Sequence, residues 1–132
     1  MATNNQPAAP SKAGWWIGCI LSALPVPLFL FSAVMKFVKT PEVVEGFAHL
    51  GWPDKLALAL GITELTCTLL YAIPQTAVLG AVLLTGYLGG AIATHARIGE
   101  PFLMQAGIGV VLWLGLYLRD PRLRKLLPWR QV

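Results

Sequence analysis

Four long stretches of this chain are almost purely apolar: residues 14–35, 56–73, 76–94 and 102–118. Charged and turn-forming residues collect between them, in 37–55 with Pro41, Gly51 and Pro53, at Pro74, and in 97–101. A helix crossing the hydrocarbon core of a bilayer needs roughly 20 apolar residues, with about 17 to 25 tolerated. Each window reaches or nearly reaches that length. The pattern therefore predicts an all-α fold, an integral membrane bundle of four transmembrane helices with spans at about 14–35, 56–73, 76–94 and 102–118.

Between the first two spans the pattern changes period. Thr40 can cap a helix that starts at Pro41, Glu42 falls in its first turn, and Gly51 stands where a C-terminal stop belongs. Val43, Val44, Phe47 and Leu50 share one side of that helix, away from Glu42, Glu45 and His49. The expectation is a short amphipathic helix lying in the outer interface or folding over the mouth of the bundle. Inside the first span, LPVPLF places Pro25 and Pro27 where they remove backbone donors and should kink the helix or locally unwind it. Gly14 and Gly18, and again Gly86 and Gly90, form GxxxG faces that allow close helix approach. Packing within the bundle is the plainer use of these faces, and a homodimer through Gly86 and Gly90 is the other.

Composition agrees with the pattern. The 132 residues are 56% hydrophobic and 12% charged, against about 25% charged in soluble domains. One transmembrane domain, 14–118, uses nearly all of the chain. It leaves residues 1–13 as a disordered cytoplasmic tail and 119–132 as a basic cytoplasmic tail. The first window exceeds the roughly 7–15 residue core of a signal peptide and lacks a small-residue cleavage site after it. Six of the ten Lys and Arg residues (Lys12, Arg119, Arg122, Arg124, Lys125, Arg130) flank the outer ends of the first and last windows. The other four, Lys36, Lys39, Lys55 and Arg97, lie in the opposite loops. The positive-inside rule then places a multi-pass protein in the inner membrane with both termini cytoplasmic. The bilayer is the expected partner of the +4 net charge. Nucleic acid is not, since no basic motif interleaved with aromatics accompanies it. Cys19 and Cys67 lie in different spans without CxxC or metal-ligand spacing, so they read as small hydrophobes.

Against this background Glu64, inside the second span, is the informative residue. On an ideal helix it shares a face with Gly61, Cys67, Thr68 and Tyr71, a small or polar stripe that should point inward. An acid facing lipid near mid-membrane costs about 2.5–3.5 kcal/mol on insertion scales. Counting residues from the loops puts Tyr87 of the third span at the depth of Glu64, with Thr94 and His95 leading toward the outer mouth. Lys36, closing the first span, can reach inward to the acid. Glu64, Lys36 and His95 are thus candidate catalytic or proton-relay residues, and Tyr87, Thr94, Thr68 and Tyr71 candidate ligand-binding ones. No metal-ligand set and no haem or iron–sulfur motif is present. The other reading of the same residues is an interior ion pair that sets helix register.

SAVMKF, GITELTCTLLYAIPQTAVLGA, LLTGYLGGAIATHARIG and WLGLYLRDPRLRKLLP together resemble the small four-helix DoxX and DoxX-like membrane proteins, over about residues 17–128. The resemblance rests on the order and spacing of Lys36, Glu64, Pro74 and His95. It implies a four-helix membrane bundle and, through the subunit that names the family, an accessory role in a redox or quinone-linked membrane complex, with quinone as the cofactor to consider and a heteromeric redox partner. It carries no settled catalytic residue, and fold kinship alone does not decide function. An assembly or scaffolding module is the alternative, as is a stand-alone transmembrane enzyme using Glu64 for proton transfer on a lipophilic substrate.

Overall fold

A computed structural model describes residues 11–130. Among the described residues every regular element is helical and there is no strand. The tail expected at 1–13 lies outside the described residues up to position 10, and its end is already ordered. Ser11 Oγ accepts from the Gly14 amide at 3.1 Å and caps α1, Lys12–Ala23.

Only Leu24, itself in helical geometry, separates α1 from α2, Pro25–Val38. The two form one bent apolar rod of 27 residues. Proline at the junction has no N–H to give to the preceding turn, which interrupts the helical ladder there. The bend has a packing consequence: α1 lies along α6, whereas α2 lies along α4. One long apolar stretch divides its length between two neighbours.

After α2 the chain turns through Lys39, whose φ is 56°, into α3, Pro41–Leu50. Thr40 Oγ1 accepts from the Val43 amide at 3.4 Å, Glu42 sits in the first turn, and Gly51 ends the helix at φ 79°. Phe47 is its one buried side chain, the residue at the centre of the predicted apolar side. Two further clasps hold α3 down: Arg97 Nη2 donates to the Leu50 carbonyl, and His49 Nε2 meets Glu100 Oε1.

α4, Leu56–Ala72, and α5, Ala77–Arg97, form a tight antiparallel pair joined by a 3-10 turn, Pro74–Thr76. Thr76 Oγ1 ties the turn down by donating to the Leu70 carbonyl at 2.7 Å. Where the two helices come together next to the turn, a Cβ at Gly80 would stand 2.2 Å from the Tyr71 amide nitrogen, so only glycine fits. α6, Leu103–Arg119, completes the packing against α5 on one side and α1 on the other. A last short helix, α7, Pro121–Leu126, lies within the stretch read as a tail, capped by Asp120 and anchored by buried Leu123.

The interior follows from this arrangement. Phe29, Tyr71, Ala81, Leu84, Leu112 and Leu116 form its centre, while each helix turns large apolar residues outward, among them Phe31, Leu58, Ile62, Val82 and Val110. Two stretches, Lys12–Val38 and Pro74–Arg97, are long and apolar enough to cross a membrane; α4 and α6 are apolar and shorter, at 17 residues each.

The two GxxxG faces behave differently. Gly18 faces α6, where a Cβ would lie 2.8 Å from the Gly115 carbonyl oxygen. Gly86 and Gly90, read first as a packing face within the bundle, have nothing within 4 Å of a Cβ. That reading is corrected: the spacing is right for close approach, but the inward-facing positions of α5 are Gly80, Ala81, Leu84 and Leu88, and Gly86 and Gly90 fall on the other side.

Candidate functional site

Glu64 is 2% exposed at the middle of α4, on the buried stripe Gly61, Glu64, Cys67, Thr68, Tyr71. Three side chains from two other helices converge on one of its oxygens. Lys36 Nζ lies 2.7 Å from Oε2, Ser32 Oγ 3.2 Å and Tyr87 OH 3.3 Å. Lys36 Nζ also donates to Ser32 Oγ at 2.6 Å. Ammonium, hydroxyl and carboxylate therefore form a closed triangle, with the phenol as a fourth corner.

Local sequence explains the convergence. Ser32 and Lys36 are four apart on α2, one turn above each other on a single face. Gly61, one turn before Glu64, lets that face come close: a Cβ there would sit 3.2 Å from Lys36 Cβ. Tyr87 arrives from α5 at the depth estimated from residue rise alone. The ammonium is 15% exposed at the side chain, against 2% for the carboxylate. The charge of the acid is thus compensated in the interior, and the lysine is its connection to the outside.

The other candidates lie elsewhere. Thr68 Oγ1 donates to the Glu64 carbonyl at 2.7 Å and Thr94 Oγ1 to the Gly90 carbonyl at 2.7 Å, the back-bonding expected of threonine within helices. Tyr71 OH crosses to α6 and donates to the Leu112 carbonyl at 2.8 Å. His95 Nδ1 is 2.8 Å from the Ala91 carbonyl oxygen, and its Nε2 faces Glu100 Oε2 at 4.0 Å. The column from Tyr87 through Thr94 and His95 is consequently not continuous. His95 joins His49 around Glu100 under α3, at the loop, while Tyr87 joins Glu64.

For Tyr71, which locks α4 to α6, Tyr71→Phe should lower stability by about 1 kcal/mol through loss of one buried hydrogen bond. Thermal unfolding in detergent measures this, and an unchanged midpoint would remove the bond from the account.

Two features escaped the sequence reading. Ser32 was recoverable, since a hydroxyl four residues before a lysine at the end of an apolar window shares its face. The His49–Glu100–His95 cluster was not, because it joins positions about 50 apart through a loop whose path no periodicity specifies. Among the described residues no group of three or more His, Cys, Asp or Glu is arranged to hold a metal ion, and both cysteines are free.

A family model described as the DoxX-like family matches residues 20–117, which contains Ser32, Lys36, Glu64, Tyr87 and His95. No curated protein and no solved structure matches the chain.

Proposed function

Since the chain belongs to the DoxX-like family, we propose that it is a four-span inner-membrane protein acting as an accessory subunit of a redox or quinone-linked membrane complex, with the Lys36–Ser32–Glu64–Tyr87 cluster as its proton-binding centre. Length supports four crossings: α4 and α6, at 17 residues each, reach the lower limit of about 17 for a membrane helix. The outward apolar residues on every long helix support it too, since a monomer in water rarely exposes so much contiguous hydrocarbon. Both termini then face the cytoplasm, and α3 lies at the opposite surface.

The observation that carries the chemical part is the convergence of three donors from two helices on a single carboxylate oxygen, next to a lysine that reaches partly to the outside. Ionisable groups inside a membrane are expensive, and proton relays are one of the few uses that justify them. In this reading Glu64 holds or releases a proton, Ser32 and Tyr87 orient it, and Lys36 balances the charge and exchanges with water. His95 serves at the mouth, with Glu100, rather than at the centre.

The closed triangle favours a second reading, an assembly module in which the same groups fix helix register. Glu64→Gln separates the two. In membranes containing the complete complex, the relay reading expects quinone-linked electron transfer to fall by at least tenfold with the protein still recovered in normal amount. Unchanged turnover together with reduced recovery of partners sinks the relay and favours assembly.

A further inference from the structure

We infer that the furrow between α5 and α6 binds one acyl chain of an anionic phospholipid, with the headgroup seated against the arginines of α7. The inference rests on the membrane-spanning reading above and concerns a site distinct from Glu64.

The furrow exists because side chains are missing. α5 brings Gly89 and α6 brings Ala106 and Gly109 to the place where the helices face one another, and they leave a space of about 590 Å³. A Cβ at Gly89 would meet nothing within 4 Å, and one at Gly109 only Leu88 Cδ1 at 3.7 Å. The walls are nearly all hydrocarbon. Trp113 Nε1 donates to Thr85 Oγ1 at 2.7 Å within the wall, and the one remaining amide, Gln105, stands at the end away from Tyr117, where its buried Oε1 has no partner.

Length selects a chain rather than a compact molecule. The furrow runs along α6 from Gln105 to Tyr117, about 18 Å at 1.5 Å per residue. That is slightly more than one leaflet of a hydrocarbon core about 30 Å thick. One acyl chain entering from the side of the chain termini fits this depth.

Charge selects the headgroup. At the Tyr117 end the furrow is also lined by Leu127, directly after α7. The Arg124 guanidinium is fixed there, 5.9 Å from the Tyr117 ring centre, with Nε and Nη2 on the carbonyl oxygens of Tyr117 and Leu118 at 2.9 and 2.6 Å. Residues 119–130 hold five Lys or Arg residues and a single acid, Asp120, which is occupied in capping α7 at the Arg122 amide, 2.9 Å away. A cation already anchored at the mouth of an acyl-length furrow complements a phosphate at the boundary, where each nearby Lys or Arg contributes about 1 kcal/mol toward anionic lipid.

The test uses the full chain in phosphatidylcholine nanodiscs doped with phosphatidylglycerol or phosphatidylcholine carrying a diazirine in one acyl chain, with adducts mapped by peptide mass spectrometry. The expected result is labelling of 85–92 and 106–114 by the glycerol lipid at least fivefold above labelling at Phe31 and Ile62, and above the choline lipid at the same positions. Arg124→Gln should reduce the headgroup preference about fivefold, the equivalent of one basic residue. Gly89→Phe, built into open space, should abolish furrow labelling while leaving Phe31 and Ile62 labelled. Equal labelling by both lipids, or labelling at Phe31 and Ile62 without the furrow, overturns the inference alone. Absence of label from every helix overturns the membrane-spanning reading and the inference with it.

Discussion

Lys36→Met destabilises the protein by about 3–5 kcal/mol, the usual result of removing one partner from a buried ion pair, and the double variant Lys36→Met, Glu64→Leu recovers most of that loss. The asymmetry follows from geometry. Glu64 is sealed between helices with its Oε2 committed to Lys36, Ser32 and Tyr87. Without the ammonium a carboxylate remains where no water can solvate it, and it must take up a proton or force the helices apart. Removing the acid as well eliminates the group that needed compensation, and Met with Leu fills much of the vacated volume. Urea or thermal unfolding in detergent for the two singles and the double gives the coupling directly. A simple sum of the single losses in the double variant would mean the pair does not act as a unit. Such a cycle reads the structural worth of the pair, whereas Glu64→Gln in the complete complex reads its chemistry.

Gly115→Val produces the second large loss, about 1–3 kcal/mol or more from overpacking, while Gly86→Val leaves stability unchanged. A Cβ at Gly115 would stand 2.5 Å from Ser22 Oγ and 2.7 Å from the Ser22 backbone nitrogen, and backbone cannot swing aside as a side-chain tip can. The same addition at Gly86 meets nothing within 4 Å. Unfolding midpoints compare the two, and equal losses would contradict the α1–α6 contact described here. Size-exclusion chromatography of Gly86→Val with light scattering also tests a homodimer through Gly86 and Gly90: a dimer of the parent chain that dissociates in the variant places that face between copies.

The polar centre was largely legible because two simple periods govern it. A repeat of 3.6 residues puts Gly61, Glu64, Cys67, Thr68 and Tyr71 on one face, and all five are buried. A rise of 1.5 Å per residue sets Tyr87 level with Glu64. The remainder depends on information that no single helix holds. Thr68, Thr94 and His95 can satisfy their polar groups within one turn of their own backbone, and each does so, so a shared face did not bring them to a shared site. The glycine spacing at 86 and 90 permits an approach but does not say which neighbour is there. Pro25 announced a bend, yet the exchange of partners across it depends on the positions of α4 and α6, residues far along the chain.

That bend bears on how the protein is made. Synthesis runs from the N-terminus, so α2 can dock as soon as α4 follows it, within a few tens of residues. The contact surface of α1, with Gly18 and buried Ser22, waits for α6, the last long helix to emerge. The α1–α2 rod is therefore half-assembled through most of translation, and the ring closes only when its earliest segment meets its latest. A chain that stops before Leu103 would leave the α1 face without its neighbour and Tyr71 without its acceptor on α6.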